Sequence, residues 1–301
     1  MSDFSGAIVA LASFLAAFGI VIPALAPPIE PTVPLPTPIH INLDSSYTSQ
    51  SILVADLADT WRAADRASDT QRPIASITKI MTGLLALETL SIHTPIILSK
   101  EAIATEGEAG DFQEGEVFAL RDALYALMMP SSNDMAMAIA ETVGERLGGR
   151  TFDEKIERFV ALMNDRARGL GMTRTLYRNP TGLDTLEGEP SNFSSANDLL
   201  KLIRATQTSP LVWEPSREAE KVITSFGQVP HSLINSNALT PYIVNFVGSK
   251  TGTTASAGES IVIIYEVVMG RPQTLILLGA EPGQRIIEAS SLLRETKGML
   301  P

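Results

Sequence analysis

The chain has 301 residues, of which 45% are hydrophobic and 19% are charged, a composition typical of a globular protein and not of a disordered one. It contains no cysteine, which excludes disulfides and thiolate metal sites, and its net charge of −11 argues against nucleic acid as a partner. The three histidines, His40, His93 and His231, are scattered and form no metal-binding pattern, so we expect each of them to be a surface or turn residue.

The N-terminal residues 6–25 form a nearly continuous apolar run of 20 residues, long enough to cross a bilayer. Ala24 and Ala26 fit a signal-peptidase pattern, but no Lys or Arg precedes the run, and Pro27 directly follows the candidate cleavage site. We therefore expect residues 1–26 to be an uncleaved membrane anchor, with a cleaved signal segment as the alternative.

The remaining chain divides into a linker and one folded domain. Residues 27–44 are rich in proline and predict an extended linker, and residues 45–301 predict a domain of mixed α and β structure. We predict a strand at 52–57, a block of helices over 74–206 that is broken by a loop at 106–116, strands at 242–250, 260–268 and 273–280 with a hairpin turn at 269–272, and a closing helix at 285–297.

A Ser-x-x-Lys motif begins at Ser76 and ends at Lys79. Apolar residues recur with the helical period over 77–87, which predicts that both side chains project from one face of the first helical turn. A serine hydroxyl at a helix N-terminus becomes a nucleophile if a neighbouring base takes its proton. Lys79 can be that base only if burial or a nearby positive charge lowers its pKa. The alternative is a capping serine beside a solvated lysine.

Two more motifs follow in the chain. Residues 131–133, Ser-Ser-Asn, lie on a predicted link between two helices, where such residues are also ordinary caps. Lys250 begins a Lys-Thr-Gly motif on a predicted strand, where it could equally be an exposed edge residue, and it is our candidate for the charge beside Lys79. Only the three motifs together, in this order, predict a serine acyl-transfer site with a lysine base.

With these motifs the chain resembles low-molecular-mass penicillin-binding proteins of the D-alanyl-D-alanine carboxypeptidase/endopeptidase family. The resemblance covers about residues 45–297 and includes the segments 73–82, 130–134, 182–184, 194–198 and 248–254. It implies an α+β fold of the DD-peptidase/β-lactamase type, an antiparallel sheet flanked by helices with a mostly helical subdomain. The active site would lie between the sheet and that subdomain.

The resemblance also implies a function: removal of the terminal D-Ala from peptidoglycan stem peptides through a serine acyl-enzyme, without cofactor or metal and with β-lactams as inhibitors. Ser76 would be the nucleophile, Lys79 the base, and Ser131 a proton relay bridged between Lys79 and Lys250. The oxyanion hole would be formed by the backbone N–H groups of Ser76 and Thr253. The substrate-binding residues would be Asn133, which positions the acyl side chain, together with Lys250, Thr251, Gly252 and Thr253.

Three alternatives stay open: a D-alanyl-D-alanine endopeptidase that cuts cross-links, a β-lactamase, and a catalytically silent wall-binding protein. The second motif lacks the Asp of the β-lactamase Ser-Asp-Asn, and no Glu-x-x-Leu-Asn segment supplies a carboxylate for deacylation. The segment that begins at Thr151, with Glu154 as its capping-box partner, predicts a packing helix without chemistry. We expect the protein on the extracytoplasmic face of the cytoplasmic membrane, or secreted if the N-terminal segment is cleaved.

Overall fold

A five-stranded antiparallel sheet forms the centre of the domain, in the strand order β2-β1-β11-β10-β9. Its strands are β1 (Ser51–Asp56), β2 (Arg62–Arg66), β9 (Phe246–Thr254), β10 (Gly258–Val268) and β11 (Arg271–Ala280). The computed structural model describes residues 40–107 and 109–298, so the predicted membrane segment and most of the predicted linker lie outside the described residues.

Successive side chains of a strand point to opposite faces of the sheet, and in this sheet both faces are buried. In β1, Leu53 and Ala55 face one hydrophobic core, and Ile52 and Val54 face another. Burial on both faces explains why β1, β10 and β11 are rich in apolar residues and were predicted from the sequence. The strand β2, with the sequence RAADR, carries no such run and was missed. Gly270, with φ of +75°, forms the tight turn between β10 and β11.

Seven helices in the described residues cover the sheet. They are α1 (Lys79–Thr89), α2 (Lys100–Ile103), α3 (Leu120–Met128), α4 (Asn133–Arg146), α5 (Phe152–Gly169), α6 (Ala196–Thr206) and α7 (Gln284–Glu295). Helices α1 to α6 contribute to the larger core, in which α6 packs against β1 and β11, and the C-terminal helix α7 packs on the other face of the sheet against β10 and β11. This layering matches the predicted α+β fold.

Three short antiparallel pairs were missed by the sequence analysis. They are β3 (Arg72–Pro73) with β6 (Phe193–Ser194), β4 (Pro95–Ile97) with β5 (Val117–Ala119), and β7 (Glu220–Thr224) with β8 (Pro230–Ile234). Strands of two to five residues carry too few side chains for a clear two-residue period. The predicted strand at 242–250 also differs, since a 3₁₀ helix occupies Thr240–Tyr242 and β9 begins only at Phe246.

Helix α5 is the packing helix that the sequence predicted. Thr151 caps it and accepts a hydrogen bond from the Glu154 backbone N–H at 3.2 Å. The Glu154 carboxylate accepts from the backbone N–H of Arg150, one residue before the cap. Phe159 and Met163 are completely buried in the larger core.

The expectation for His231 was wrong, because this residue is 5% exposed and lies in β8. Its ring packs on Phe112 and Phe118, with centroid distances of 4.8 and 5.5 Å. Nδ1 lies 2.8 Å from the Gly110 carbonyl oxygen, and Nε2 lies 2.9 Å from Glu116 Oε1. His231 therefore attaches the loop before β5 to β8, through contacts with residues more than 100 positions away.

Within residues 40–107 and 109–298, we find no helix that is both long enough and apolar enough to span a membrane. The apolar run at 6–25, on which the predicted anchor depends, falls outside these ranges.

Candidate active site

Ser76 lies on a 3₁₀ helix, Ala75–Thr78, which leads directly into α1. The sequence predicted the first turn of an α-helix, but the tighter 3₁₀ turn places residues three apart in line. The Lys79 Nζ is accordingly 2.8 Å from Ser76 Oγ. Ser76 is only partly buried, whereas the other residues of this turn are buried.

The Lys79 amine has three hydrogen-bond partners, at 2.8 Å for Ser76 Oγ, 2.7 Å for Asn133 Oδ1 and 2.9 Å for the Thr181 carbonyl oxygen. The Asn133 oxygen faces the lysine because the Asn133 Nδ2 donates to the Glu106 carbonyl at 2.8 Å. Two of the three partners can therefore only accept, and the serine hydroxyl can also donate. A neutral amine has two N–H groups and one lone pair. The two N–H groups can donate to Asn133 Oδ1 and the Thr181 carbonyl, and the lone pair can then accept from the Ser76 hydroxyl.

Electrostatics also favour the neutral form. Lys79 is completely buried, and this burial lowers its pKa well below the ordinary value. The positive charge of Lys250 lowers the Lys79 pKa further, while the negative charge of Asp134 opposes both effects. A lysine whose pKa is lowered in this way can act as a general base toward a serine hydroxyl.

Ser131 lies on the link between α3 and α4, as the sequence predicted. Its φ of +69° is a strained conformation for a residue with a side chain, and such strain is concentrated at functional sites. Ser131 Oγ accepts from Lys250 Nζ at 2.8 Å. Of the predicted bridge only this half is formed, since the contacts of the described residues include no hydrogen bond from Ser131 to Lys79.

Asn133 is the first residue of α4, which Ser132 caps by accepting from the Met135 backbone N–H at 3.2 Å. The cap fixes the helix start, so the Asn133 side chain projects toward Lys79. Its side-chain oxygen accepts from the lysine, a contact that the sequence analysis did not predict.

Lys250 lies on β9, an edge strand of the sheet, but it is 1% exposed and so is not the solvated edge residue considered as an alternative. Its Nζ donates to Ser131 Oγ and to the Thr251 carbonyl, both at 2.8 Å. Burial, followed by the nearby charge of Arg285, lowers the pKa of Lys250 to about 7. Thr251 is buried, with Oγ1 2.6 Å from Ser236 Oγ, and Thr253 is exposed at the site.

Gly252 brings β9 into contact with the turn that carries the serine. A Cβ at this position would lie 3.0 Å from both the Ile74 carbonyl oxygen and the Ser76 backbone nitrogen. Such distances leave almost no room for a side chain, so the glycine of the third motif permits the strand to approach the nucleophile.

Arg285 is a site residue that the sequence analysis missed. It extends from α7, and its Nη1 donates to Thr253 Oγ1 at 2.9 Å and to the Gly252 carbonyl at 3.1 Å. Burial lowers the pKa of its guanidinium, and the charge of Glu259 opposes this effect. A lone arginine at the start of an ordinary helix gives no signal in the sequence.

Comparison with known proteins gives a consistent set of matches. Residues 40–279 match the family described as D-alanyl-D-alanine carboxypeptidase. The chain is 31% identical over 256 residues to a D-alanyl-D-alanine endopeptidase of Pseudomonas aeruginosa, covering 81% of this chain and 76% of that protein. It is 28% identical over 214 residues to the D-alanyl-D-alanine carboxypeptidase DacB2 of Mycobacterium tuberculosis, covering 71% of this chain and 69% of that protein.

A solved structure of a D-alanyl-D-alanine carboxypeptidase from Mycobacterium tuberculosis H37Rv is similar to this chain with a TM-score of 0.72 and 25% identity. The match covers 87% of this chain and 95% of that one. The fold class predicted from the sequence is confirmed by this similarity.

Proposed function

The chain belongs to the D-alanyl-D-alanine carboxypeptidase family, and we propose that it removes the terminal D-Ala of peptidoglycan stem peptides through an acyl-enzyme on Ser76. The observation that carries this proposal is the 2.8 Å contact of Ser76 Oγ with Lys79 Nζ. The lysine is buried, its pKa is lowered, and its two remaining partners are acceptors.

Acylation follows from these contacts. Ser76 Oγ attacks the carbonyl carbon between the two D-alanines, and Lys79 takes the hydroxyl proton as the new C–O bond forms. Ser131 gives a proton to the leaving nitrogen as the C–N bond breaks, and takes one from Lys250 at 2.8 Å. Lys79 is then charged and Lys250 is neutral, so the acyl-enzyme keeps the total charge of the resting site.

Deacylation returns the site to its starting state. Water attacks the ester carbonyl, and the Ser76 oxygen leaves with the proton held by Lys79. The attacking water gives one proton to the neutral Lys250, which restores its charge, and its second proton goes to solvent when the new carboxylic acid ionises. The oxyanion would be bound by the backbone N–H groups of Ser76 and Thr253, on two segments that touch at Gly252. Loss of one such donor costs roughly 3 kcal/mol in comparable enzymes.

The positive charges of the site support recognition of a free terminal carboxylate. Lys250 Nζ donates to the Thr251 carbonyl and Arg285 Nη1 donates to Thr253 Oγ1, so two cationic side chains contact the β9 segment that includes the exposed Thr253. Thr251, Gly252 and Thr253 would complete this subsite, and Asn133 would position the acyl side chain. A carboxylate bound here places the preceding peptide bond near Ser76, as removal of a C-terminal residue requires.

An endopeptidase is the second candidate, because the relative with 31% identity is named a D-alanyl-D-alanine endopeptidase. The chemistry is the same, and only the group that follows the cleaved bond differs. Purified protein should be incubated with a pentapeptide and with cross-linked muropeptides, and the products identified by mass, with Ser76→Ala as the control. We expect Ser76-dependent loss of one alanine from the pentapeptide. Cleavage of cross-links alone would favour the endopeptidase.

We also propose that residues 6–25 anchor the domain to the extracytoplasmic face of the membrane. The support is the sequence alone, namely a 20-residue apolar run followed by a proline-rich linker. Full-length protein should remain in the membrane fraction after a high-salt wash and be released by detergent, whereas protein without residues 1–26 should not. Release by salt would contradict the anchor, and a mature N-terminus at Pro27 would make the segment a secretion signal.

A further inference from the structure

The Thr181 carbonyl that contacts Lys79 belongs to a turn held together by one side-chain amide. Asn179 Oδ1 accepts from the Thr181 backbone N–H at 3.1 Å, from Thr181 Oγ1 at 3.0 Å and from the Gly182 N–H at 2.7 Å. Its Nδ2 donates to the Leu183 carbonyl at 3.0 Å and to Ser191 Oγ at 2.8 Å. Asn192 Nδ2 also donates to this oxygen at 3.4 Å, so the amide contacts four donors and two acceptors within or beside the turn.

The same turn is attached to the segment that carries the lysine. Asn192 Nδ2 donates to Thr78 Oγ1 and to the Asn179 carbonyl, both at 2.9 Å. Thr82 Oγ1 donates to the Pro180 carbonyl at 2.7 Å. Thr78 and Thr82 lie on either side of Lys79 in the chain, so movement of the turn would alter the surroundings of the amine.

The turn also packs closely against the segment that carries the nucleophile and the lysine. Gly182 has φ of +88°, and a Cβ there would lie 1.9 Å from the Ala75 carbonyl oxygen. Thr181 is 2% exposed, so the turn covers this side of Lys79 and excludes water from it.

We propose that Asn179 is a positioning residue for the lysine base, holding the Thr181 carbonyl against Lys79 Nζ so that the amine lone pair is directed at Ser76. This inference rests on the proposed function, in which Lys79 takes the serine proton. The carbonyl and Asn133 Oδ1 occupy both N–H groups of a neutral amine, which leaves the lone pair for the third partner. If the carbonyl moves away, the amine can rotate, and water can reach it.

Asn179→Ala tests this proposal through the pH dependence of acylation by a labelled penicillin. Water that enters beside Lys79 relieves part of its desolvation, so the amine should stay protonated to a higher pH. We expect the acid limb of the acylation rate to move upward by about one pH unit, which corresponds to an about tenfold loss of rate on that limb.

Asn164→Ala is a matched control. Asn164 Nδ2 donates to the carbonyls of Val160 and Tyr177, and its Oδ1 accepts from the Tyr177 N–H at 2.9 Å. It thus fixes the chain just before the turn but, among the described contacts, does not reach Asn179 or Lys79. We expect Asn164→Ala to lower the Tm while keeping the wild-type pH profile. Equal shifts in both variants would overturn the positioning role.

Ser191→Ala is a milder variant that decides the matter if Asn179→Ala does not fold. It removes the acceptor of one Asn179 N–H and should shift the acid limb in the same direction by a smaller amount. Folded Asn179→Ala or Ser191→Ala protein with the wild-type pH profile would overturn the inference. Absence of acylation in the wild type would instead contradict the proposed function.

Discussion

Lys79 and Lys250 are both buried in one site, yet each is hydrogen-bonded to a different serine. Lys79 contacts Ser76 Oγ, and Lys250 contacts Ser131 Oγ. Two ammonium groups in a buried site repel each other, so the charge on one lowers the pKa of the other. The arrangement therefore favours one neutral and one charged lysine, which suits a base beside the nucleophile and a cation beside the substrate.

Lys79→Arg tests the base directly. Arginine stays protonated at any usable pH, so it cannot take the serine proton. We expect acylation by a labelled penicillin to fall by about 10² to 10⁴-fold. Lys201→Arg, a change at a partly exposed lysine on α6, should acylate at the wild-type rate. A folded Lys79→Arg protein that retains near-native acylation would exclude Lys79 as the base.

Lys250→Met tests the lowered pKa of Lys250 through stability. This pKa is about 7 in the folded protein against 10.5 for an ordinary lysine, so between these values the unfolded chain binds more protons through this group. The buried charge destabilises the folded state fully below pH 7, and this penalty is relieved as the pH rises toward 10.5. From pH 7 to 9 the wild-type free energy of unfolding should rise, relative to Lys250→Met, by up to about 1.4 kcal/mol per pH unit. Urea denaturation of both proteins at pH 7 and pH 9 measures this change. If the two free energies of unfolding differ by the same amount at both pH values, the lowered pKa of Lys250 is contradicted.

Gly252→Ala tests the contact between β9 and the nucleophile turn. The added methyl group would meet the Ile74 carbonyl and the Ser76 nitrogen at 3.0 Å and push the strand away from the serine. We expect an about 10²-fold loss of acylation, since a displacement near 1 Å can cost that much. Gly169→Ala, where a Cβ would meet nothing within 4 Å, should leave acylation unchanged. A wild-type rate for Gly252→Ala would show that the close approach is not needed.

Glu288 on α7 should stabilise the domain without affecting chemistry. It is 2% exposed, and its carboxylate accepts from the backbone and hydroxyl groups of Thr48 and Ser49, at 2.5 to 3.2 Å. Glu288→Ala leaves these donors unsatisfied and should lower the free energy of unfolding by about 3 kcal/mol. Glu295→Ala, which removes one exposed bond from Tyr47 at 3.1 Å, should cost under about 0.5 kcal/mol. Equal losses in urea denaturation would contradict the role of Glu288.

The sequence predicted those parts of the structure that local periodicity determines. The apolar periods located β1, β10, β11, and the helices on both sides of the second motif, because each of these elements buries a continuous face. The buried position of His231 was not predictable, because its partners Gly110 and Glu116 are more than 100 residues away in the sequence. The strand β8 pairs with the neighbouring β7, but five residues are too few for a clear two-residue period.

The candidate site divides in the same way. Motif spacing alone indicated that Ser76 and Lys79 would meet, since three residues make one turn. Neither Arg285 nor the Thr181 carbonyl could be found from spacing, because α7 and the Asn179 turn reach the site only through tertiary packing. The roles of these residues in catalysis remain predictions.

The most direct test of the acyl-enzyme on Ser76 is to map the attachment site of a labelled penicillin by mass spectrometry of peptides from the full-length protein. A β-lactam presents a strained amide to the same nucleophile, so we expect the label on the peptide that contains Ser76 and no label on Ser76→Ala protein of unchanged Tm. Label on any other residue, or label that persists in Ser76→Ala, would contradict the account.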